Sequence, residues 1–259
     1  MNAGPAGAET VDAFHRGDFW IVQPGRGHRS GMDAMMLAAT VPGSFAGRLA
    51  DLGAGAGAAG LAVASRCPDA RIVLVENDPE MAAFARRSAA LPQNARLGDR
   101  VEIVEADVAL RGRARVSAGL GDGAFDFAIM NPPFNPAHDR PTPDALRRRA
   151  HVMEAGTLEA WMRTAAALVK AGGGVAAIAR PVSLPELLAA LAGRFGATRI
   201  VPVHPRPAEP AIRVIVRATR GSRKALALEP PLVLHGAGGH GHTPRAELVC
   251  NGRASLFGD

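Results

Sequence analysis

The sequence predicts an α/β fold: a seven-stranded, mostly parallel sheet with helices on both faces and one antiparallel strand near the C-terminus. Three observations support this prediction. Short apolar runs alternate with helical patterns through the middle of the chain. Most of these runs are far enough apart for the crossover of a dozen or so residues that parallel strands require. The last two runs lie too close together to hold a helix between them, which favours an antiparallel pair.

The first half of the sheet is predicted from four apolar runs and two helical patterns. Each strand is a short apolar run bounded by turn residues, and each helix repeats its apolar positions at helical spacing. Pro79 suits the first turn of a helix, where the N–H that it lacks has no partner. In chain order the predicted elements are strand 48–53, helix 58–67, strand 71–76, helix 79–91, strand 101–107 and strand 125–130.

The second half follows the same pattern until the sheet closes. The glycine run 172–174 is predicted to end the helix before it. From Thr219 the chain is basic and rich in Gly and Pro, so we expect it to lie over the surface with one short strand within 231–235. In chain order the predicted elements are helix 158–170, strand 174–180, helix 184–196, strand 198–204 and strand 211–218.

Composition indicates one large domain. The chain has 259 residues, of which 47% are hydrophobic, enough for a sizeable core. We divide it into an N-terminal cap segment (1–47), the sheet domain (48–218) and a basic C-terminal extension packed on that domain (219–259). No 18-residue apolar run predicts a transmembrane helix, and the first 20 residues lack the apolar core of a secretory signal. The two cysteines form no disulfide framework, which indicates reduced thiols in the cytoplasm.

The net charge of +6 suits a polyanionic partner such as a nucleic acid, although an arginine-rich composition can also reflect biased coding. The sharpest basic run is 147–149, which is either a solvated helix face or a clamp for phosphates. His235, His240 and His242 stand in a glycine-rich loop without a second cluster of ligands, so we expect no metal site.

A glycine-rich loop, "DLGAGAG", joins the first predicted strand to the following helix. Gly53, Gly55 and Gly57 allow the backbone to turn tightly and to approach a ligand closely. Asp51 stands at the start of this loop, and Glu76 ends the second strand, where a carboxylate can accept hydrogen bonds from both hydroxyls of a ribose. The pattern alone is also compatible with a simple tight turn.

The ends of the next two strands add further polar groups. Asp107 ends the third strand, where it could accept from the amino group of an adenine, and Asn131 follows the fourth. Ligands of open α/β sheets bind beyond the carboxyl ends of the strands, so these groups should converge on one nucleoside. A carboxylate at Asp51 would repel the pyrophosphate of a dinucleotide but would suit a sulfonium and an ammonium. The residues therefore favour S-adenosylmethionine.

The segment Asn131-Pro132-Pro133-Phe134 ends the fourth strand with a stiff backbone, because each proline fixes its own φ and restricts the residue before it. The Asn131 side-chain carbonyl and the Pro132 backbone carbonyl offer two acceptors, and Phe134 offers a flat face. An exocyclic amine on a planar base needs two acceptors and a surface to stack on. The alternative is a proline turn that merely closes the strand.

"NPPF" together with "DLGAGAG" resembles the Rossmann-like class I methyltransferases that modify amino groups of adenine, guanine or glutamine. The stretches 23–39, 150–173 and 203–235 resemble the bacterial tRNA1(Val) adenine-N6 methyltransferase family more specifically, and the likeness covers roughly residues 14–253. The resemblance implies S-adenosylmethionine-dependent N6-methylation of an adenine beside the anticodon of a tRNA. Other acceptors, namely a guanine of ribosomal RNA or a glutamine of a protein, stay open, as does a non-catalytic RNA-binding factor.

The resemblance also implies roles for individual residues. Asp51, Gly53 and Gly55 would line the methionine part of the cofactor, Glu76 would hold the ribose and Asp107 the adenine. Arg29 and Asp33, from the cap segment, would cap the cofactor or steady the loop there. The target adenine would be presented by Asn131, Pro132, Pro133 and Phe134. Met32 departs from the small hydroxylated residue usual in the family.

Overall fold

The computed structural model describes residues 9–25, 29–132, 135–136, 152–153, 156–239 and 241–259. It confirms the α/β fold, with a central, mostly parallel sheet between helices. The strands are β1 (Glu9–Phe14), β2 (Phe19–Pro24), β3 (Arg48–Leu52), β4 (Arg71–Glu76), β5 (Val101–Glu105), β6 (Phe125–Met130), β7 (Asn135–Pro136), β8 (Val152–Met153), β9 (Val169–Ala179), β10 (Phe195–His204), β11 (Arg213–Arg220), β12 (Ala227–Leu228) and β13 (Leu232–Val233). The helices are α1 (Met32–Ala38), α2 (Ala58–Arg66), α3 (Pro79–Ala89), α4 (Ala95–Gly98), α5 (Gly112–Ser117), α6 (Thr157–Leu168), α7 (Leu184–Leu191) and α8 (Pro244–Cys250).

The central sheet has the strand order β12-β10-β11-β9-β6-β3-β4-β5, and β13 also pairs with β10. The pairs between β9, β6, β3, β4 and β5 are parallel, and β11 is antiparallel to both of its neighbours, as predicted near the C-terminus. The seven predicted strands are therefore present. The sheet gains two further strands, β12 and β13, each of two residues and each parallel to β10.

The inner strands are apolar on both faces because helices cover both sides of the sheet. Leu49, Leu52, Leu74 and Ile129 are fully buried. Their strands match the predicted ranges to within a residue, since mostly apolar runs that are buried leave few alternative registers. The core of the molecule lies on these strands and on the helices α2, α3 and α6 packed against them.

All four predicted helices extend past their observed C-terminal ends, and two of these differences change the neighbouring strand. The helix expected at 158–170 ends at Leu168, and the glycine run 172–174 lies inside β9 rather than acting as a stop. A Cβ at Gly174 would stand 2.3 Å from the Phe127 ring, so close packing between strands requires the glycine there. The helix expected at 184–196 ends at Leu191, because Gly193 turns the chain with φ 74° and β10 begins at Phe195.

The cap segment contains secondary structure that the sequence analysis missed. β1 and β2 form an antiparallel hairpin whose turn, His15 to Gly17, has positive φ at all three residues. The hairpin docks through backbone N–H groups of β2: Trp20 donates to Asn94 Oδ1 and Val22 to Ser88 Oγ, both at 2.9 Å. This ties the segment to the region after β4.

In the C-terminal extension, the expected short strand is present as β13, which pairs with β10. It also holds α8, which was not predicted, although Thr243 caps it and Pro244 occupies its first turn. Leu256 then donates its backbone N–H to Ala39 O. Across the described ranges, no helix is both long and apolar enough to cross a membrane.

Candidate active site

The carboxyl ends of β3, β4 and β6 bring three candidate residues side by side. Leu52 of β3 is paired with Val75 of β4 and with Met130 of β6. The residues that follow, Gly53, Glu76 and Asn131, therefore leave the sheet next to one another. Adjacent strands are about 4.8 Å apart, so Gly53 lies between a carboxylate and an amide at short range. This is the edge at which open α/β sheets bind ligands.

The glycine loop after β3 has the backbone that its sequence requires. Gly53, Gly55 and Gly57 have φ of 73°, 57° and 89°, in the region that favours glycine. The N–H groups of Gly53 and Ala54 both donate to Val75 O, which fixes the loop against β4. The loop then enters α2 directly, so the first N–H groups of that helix point toward this edge of the sheet.

Glu76 is buried and holds the neighbouring loops with both of its carboxylate oxygens. Oε2 accepts from the Gly55 N–H at 2.7 Å, and Oε1 accepts from the Asp78 N–H at 2.8 Å. Burial raises the pKa of this carboxyl, and the backbone hydrogen bonds oppose the shift. Each carboxylate oxygen can accept a second hydrogen bond, which leaves capacity for ribose hydroxyls.

Asp51 lies beneath the glycine loop and is only 2% exposed. Its Oδ2 accepts from the Gly60 N–H in the first turn of α2 at 2.8 Å. Burial raises the pKa of this carboxyl to about 7, with the nearby Glu76 adding to the increase and the Gly60 hydrogen bond opposing it. At neutral pH the group is poised between its two states, so a cation at the loop would draw it to the ionised form.

Asp107 lies two residues past the end of β5 and is exposed, with Oδ1 accepting from the Ala109 N–H at 2.7 Å. Asn131 follows β6, and its Oδ1 is buried without a hydrogen-bond partner in the described part of the chain. Pro132 is buried behind it. A buried carbonyl oxygen normally has a donor, so Asn131 Oδ1 is an acceptor open to a ligand.

Other predicted residues lie outside the described ranges. These are Pro133, Phe134, the basic run 147–149 and His240. Their roles stay predictions. In the rest of the chain, no group of three or more His, Cys, Asp or Glu side chains could hold a metal ion.

Arg29 and Asp33 make contacts that anchor the cap segment. Arg29 Nη2 lies 2.7 Å from Asp12 Oδ2 on β1, and Asp33 Oδ2 lies 2.9 Å from Arg213 Nε on β11. Gln23 supports the same region, since it donates to Asp12 and accepts from the Ser30 N–H. Steadying the segment was one of the two roles expected of Arg29 and Asp33.

Trp161 of α6 also lies at this edge, and the sequence analysis assigned it no role in the site. Its indole lies so close to Gly53 that a Cβ on that glycine would stand 2.4 Å from Cη2. The ring is partly exposed and packs against the core. The sequence does place an aromatic residue on the amphipathic helix after the Asn-Pro-Pro-Phe segment. Helical spacing alone, however, does not show that this residue reaches the glycine loop.

Comparison with known proteins agrees with this geometry. The family model described as "Methyltransferase small domain" matches residues 30–201, more than half of the chain. The chain belongs to this family. The protein is accordingly a methyltransferase of the class I fold that uses S-adenosylmethionine, and the glycine loop with Glu76 fits such a cofactor.

Two relatives of this methyltransferase resemble it over most of its length. A protein of Porphyromonas gingivalis (strain ATCC BAA-308 / W83) named tRNA1(Val) (adenine(37)-N6)-methyltransferase is 30% identical over 238 residues, which cover 89% of this chain and 90% of the relative. The crystal structure of a predicted O-methyltransferase from Agrobacterium tumefaciens is 46% identical, with a TM-score of 0.76 and coverage of 86% of this chain and 97% of that one.

A more distant structure shows the same fold. The T. thermophilus 16S rRNA N2 G1207 methyltransferase, solved with S-adenosylmethionine and guanosine, has a TM-score of 0.54 and is 21% identical. It covers 85% of this chain, which in turn covers 52% of that chain. At this identity the likeness shows the common fold.

Proposed function

We propose that this methyltransferase methylates N6 of an adenine in tRNA, beside the anticodon, and acts in the cytoplasm. The P. gingivalis relative carries the name of that activity and matches this chain over nearly its whole length. The net charge of +6 suits an RNA substrate, because contacts to phosphates dominate nucleic-acid affinity.

The observation that carries the proposal is the open oxygen of Asn131. An oxygen that is buried and has no donor in the described residues lies one strand away from the glycine loop. An exocyclic amine supplies the missing donor, and the Pro132 carbonyl is the second acceptor that such an amine needs. A hydroxyl acceptor has a single hydrogen and would leave one of these two oxygens without a partner.

The residues of the site would divide the work as follows. The Gly53–Gly55 backbone and Asp51 hold the methionine part of S-adenosylmethionine, Glu76 holds the ribose, and Asp107 receives the adenine. Bound S-adenosylmethionine supplies an electrophilic methyl group. Asn131 and Pro132 orient the amine so that its lone pair faces that methyl, with Phe134 stacking on the base. Alignment and electrostatic stabilisation then provide most of the rate, and no strong base is needed.

Labelled methyl transfer tests the proposal. The protein is incubated with methyl-labelled cofactor and either total RNA or total protein, and the product is identified by nucleoside analysis. Two tRNA1(Val) transcripts that differ only in adenine or guanine at position 37 are the matched substrates. We expect N6-methyladenosine in the adenine transcript alone. Label on guanine, on glutamine or on a hydroxyl oxygen would reject adenine as the acceptor.

A further inference from the structure

The indole of Trp161 contacts the glycine loop at Gly53, the residue that follows β3. A Cβ built on Gly53 would stand 2.4 Å from Cη2 and 2.9 Å from Cζ3 of the indole. The six-membered ring therefore lies in van der Waals contact with the glycine backbone. Its contact surface is at the loop proposed to hold the methionine part of the cofactor, and the residue is partly exposed.

The indole is held in this place by a well-anchored helix. On α6, Leu158 and Met162 are 1% exposed. Thr164 Oγ1, also buried, donates to Val108 O at 2.7 Å and ties the helix to the loop beside Asp107. The position of the ring is thus set by the core. Because the helix is anchored in this way, the contact of the indole with Gly53 is a fixed feature of the site.

The register of the sheet places this ring beside the path of the methyl group. Gly53 and Asn131 each follow a paired position, Leu52 and Met130, on neighbouring strands. A methyl group that passes from a cofactor at the β3 loop to an amine at Asn131 must cross between these two strand ends. α6, which carries the indole, packs against β9 and against β6, the strand that Asn131 follows.

We propose that the indole of Trp161 contacts the positively charged sulfur of S-adenosylmethionine and so favours the charged cofactor over its neutral product, S-adenosylhomocysteine. Among the aromatic side chains, tryptophan attracts cations to its face most strongly, and the attraction grows where water is excluded. Both ligands keep the ammonium, and they differ in the transferred methyl group and in the positive charge on sulfur. Transfer of the methyl leaves the sulfur neutral, so this attraction is lost and the product would bind less tightly than the cofactor.

The test compares two ligands on two variants. Trp161→Leu and Trp161→Phe are titrated with S-adenosylmethionine and with S-adenosylhomocysteine by calorimetry, without RNA. We expect Trp161→Leu to shift the ratio of the two Kd values toward the product by about 5- to 10-fold, and Trp161→Phe to shift it less, since phenylalanine keeps a smaller aromatic face. If affinity for both ligands falls by the same factor, Trp161 only supports the loop and the proposal is wrong.

Tryptophan emission gives a second readout that needs no destabilising change. The chain has two tryptophans, and Trp20 lies on β2, where its backbone bonds to Asn94. In Trp20→Phe, S-adenosylmethionine should still change the emission, and in Trp161→Phe the change should be lost. An emission that does not respond in Trp20→Phe would overturn the proposal even if Trp161→Leu fails to fold. Neither measurement depends on the identity of the methyl acceptor, so the adenine proposal can fail while this one stands.

Discussion

Raising the pH should destabilise the cofactor-free methyltransferase through Asp51, and Asp51→Asn should remove this effect. Burial holds the pKa of the Asp51 carboxyl at about 7, above its ordinary value of 3.8. A raised pKa in the folded state means that this group's contribution to stability is complete below the unfolded pKa and is lost as the pH rises through the folded one. Asparagine keeps an oxygen to accept the Gly60 N–H but does not ionise.

The size of the effect follows from the two pKa values. The pKa of Asp51 is about 7 in the folded protein and 3.8 in the unfolded chain. This difference corresponds to roughly 4 kcal/mol of unfolding free energy, which is lost as the pH rises from acid values to well above 7. Within the convenient interval from about pH 5.5 to 8.5, the stability that is lost is about 2 kcal/mol. Because stabilities of domains are about 5–15 kcal/mol, this is a measurable share.

Urea unfolding of wild type and Asp51→Asn at three pH values across that interval is the assay. The quantity to compare is the difference in unfolding free energy between the two proteins. Other groups cancel in this difference, including His15, whose buried imidazole has a pKa near 4 and gains stability as the pH rises. We expect the asparagine variant to gain about 2 kcal/mol relative to wild type at the upper pH. Parallel pH profiles would refute the reasoning, because Asp51 would then ionise alike in both states.

Further predictions concern the cofactor, the acceptor and the RNA. Glu76→Ala should weaken S-adenosylmethionine binding by about 1.5–3 kcal/mol through lost charge-assisted hydrogen bonds, and calorimetry should show a smaller loss for Glu76→Gln, which keeps one acceptor oxygen. Asn131→Ala should reduce the single-turnover rate of methyl transfer by about 10²-fold without changing cofactor affinity. A wild-type rate would show that the Asn-Pro-Pro-Phe segment is only a turn. Phe134→Ala should weaken RNA binding by about 1–3 kcal/mol, and Phe134→Tyr should be tolerated in the same binding assay. Changing all three arginines of 147–149 should flatten the salt dependence of RNA binding and leave cofactor affinity unchanged. If the variant and the wild type show the same dependence of RNA affinity on salt, the run is a solvated helix face.

The sequence predicted the inner sheet well because its strands are buried on both faces. Runs such as 71–76 and 125–130 are mostly apolar and bounded by polar turns, so their ends are marked in the sequence. The β1–β2 hairpin was missed because its first strand alternates between exposed and half-buried positions and carries a weak apolar signal. α8 was overlooked despite Thr243 and Pro244, since the glycine- and proline-rich composition around it indicated an irregular tail.

The positions of the site residues along the chain were predictable, but their contacts were not. Strand ends converge in any parallel sheet, which brought Glu76 and Asn131 to the same edge. Asp51 is buried where it accepts a hydrogen bond from the Gly60 N–H in the first turn of α2. The contact between Trp161 and Gly53 depends on how α6 lies across the sheet. Both are matters of tertiary packing, and no local pattern in the sequence records them.

The two-residue strands β12 and β13 have a consequence for synthesis of the protein. They cover one edge of β10, the ten-residue strand that would otherwise end the sheet. An exposed edge strand of that length can pair with another chain and start aggregation. β10 leaves the ribosome before the residues that shield it, and at about 5–20 residues per second the delay is on the order of a few seconds. During that interval the exposed edge of β10 in a nascent chain can pair with other chains unless chaperones prevent it. A truncation before Ala227 would leave this edge exposed permanently.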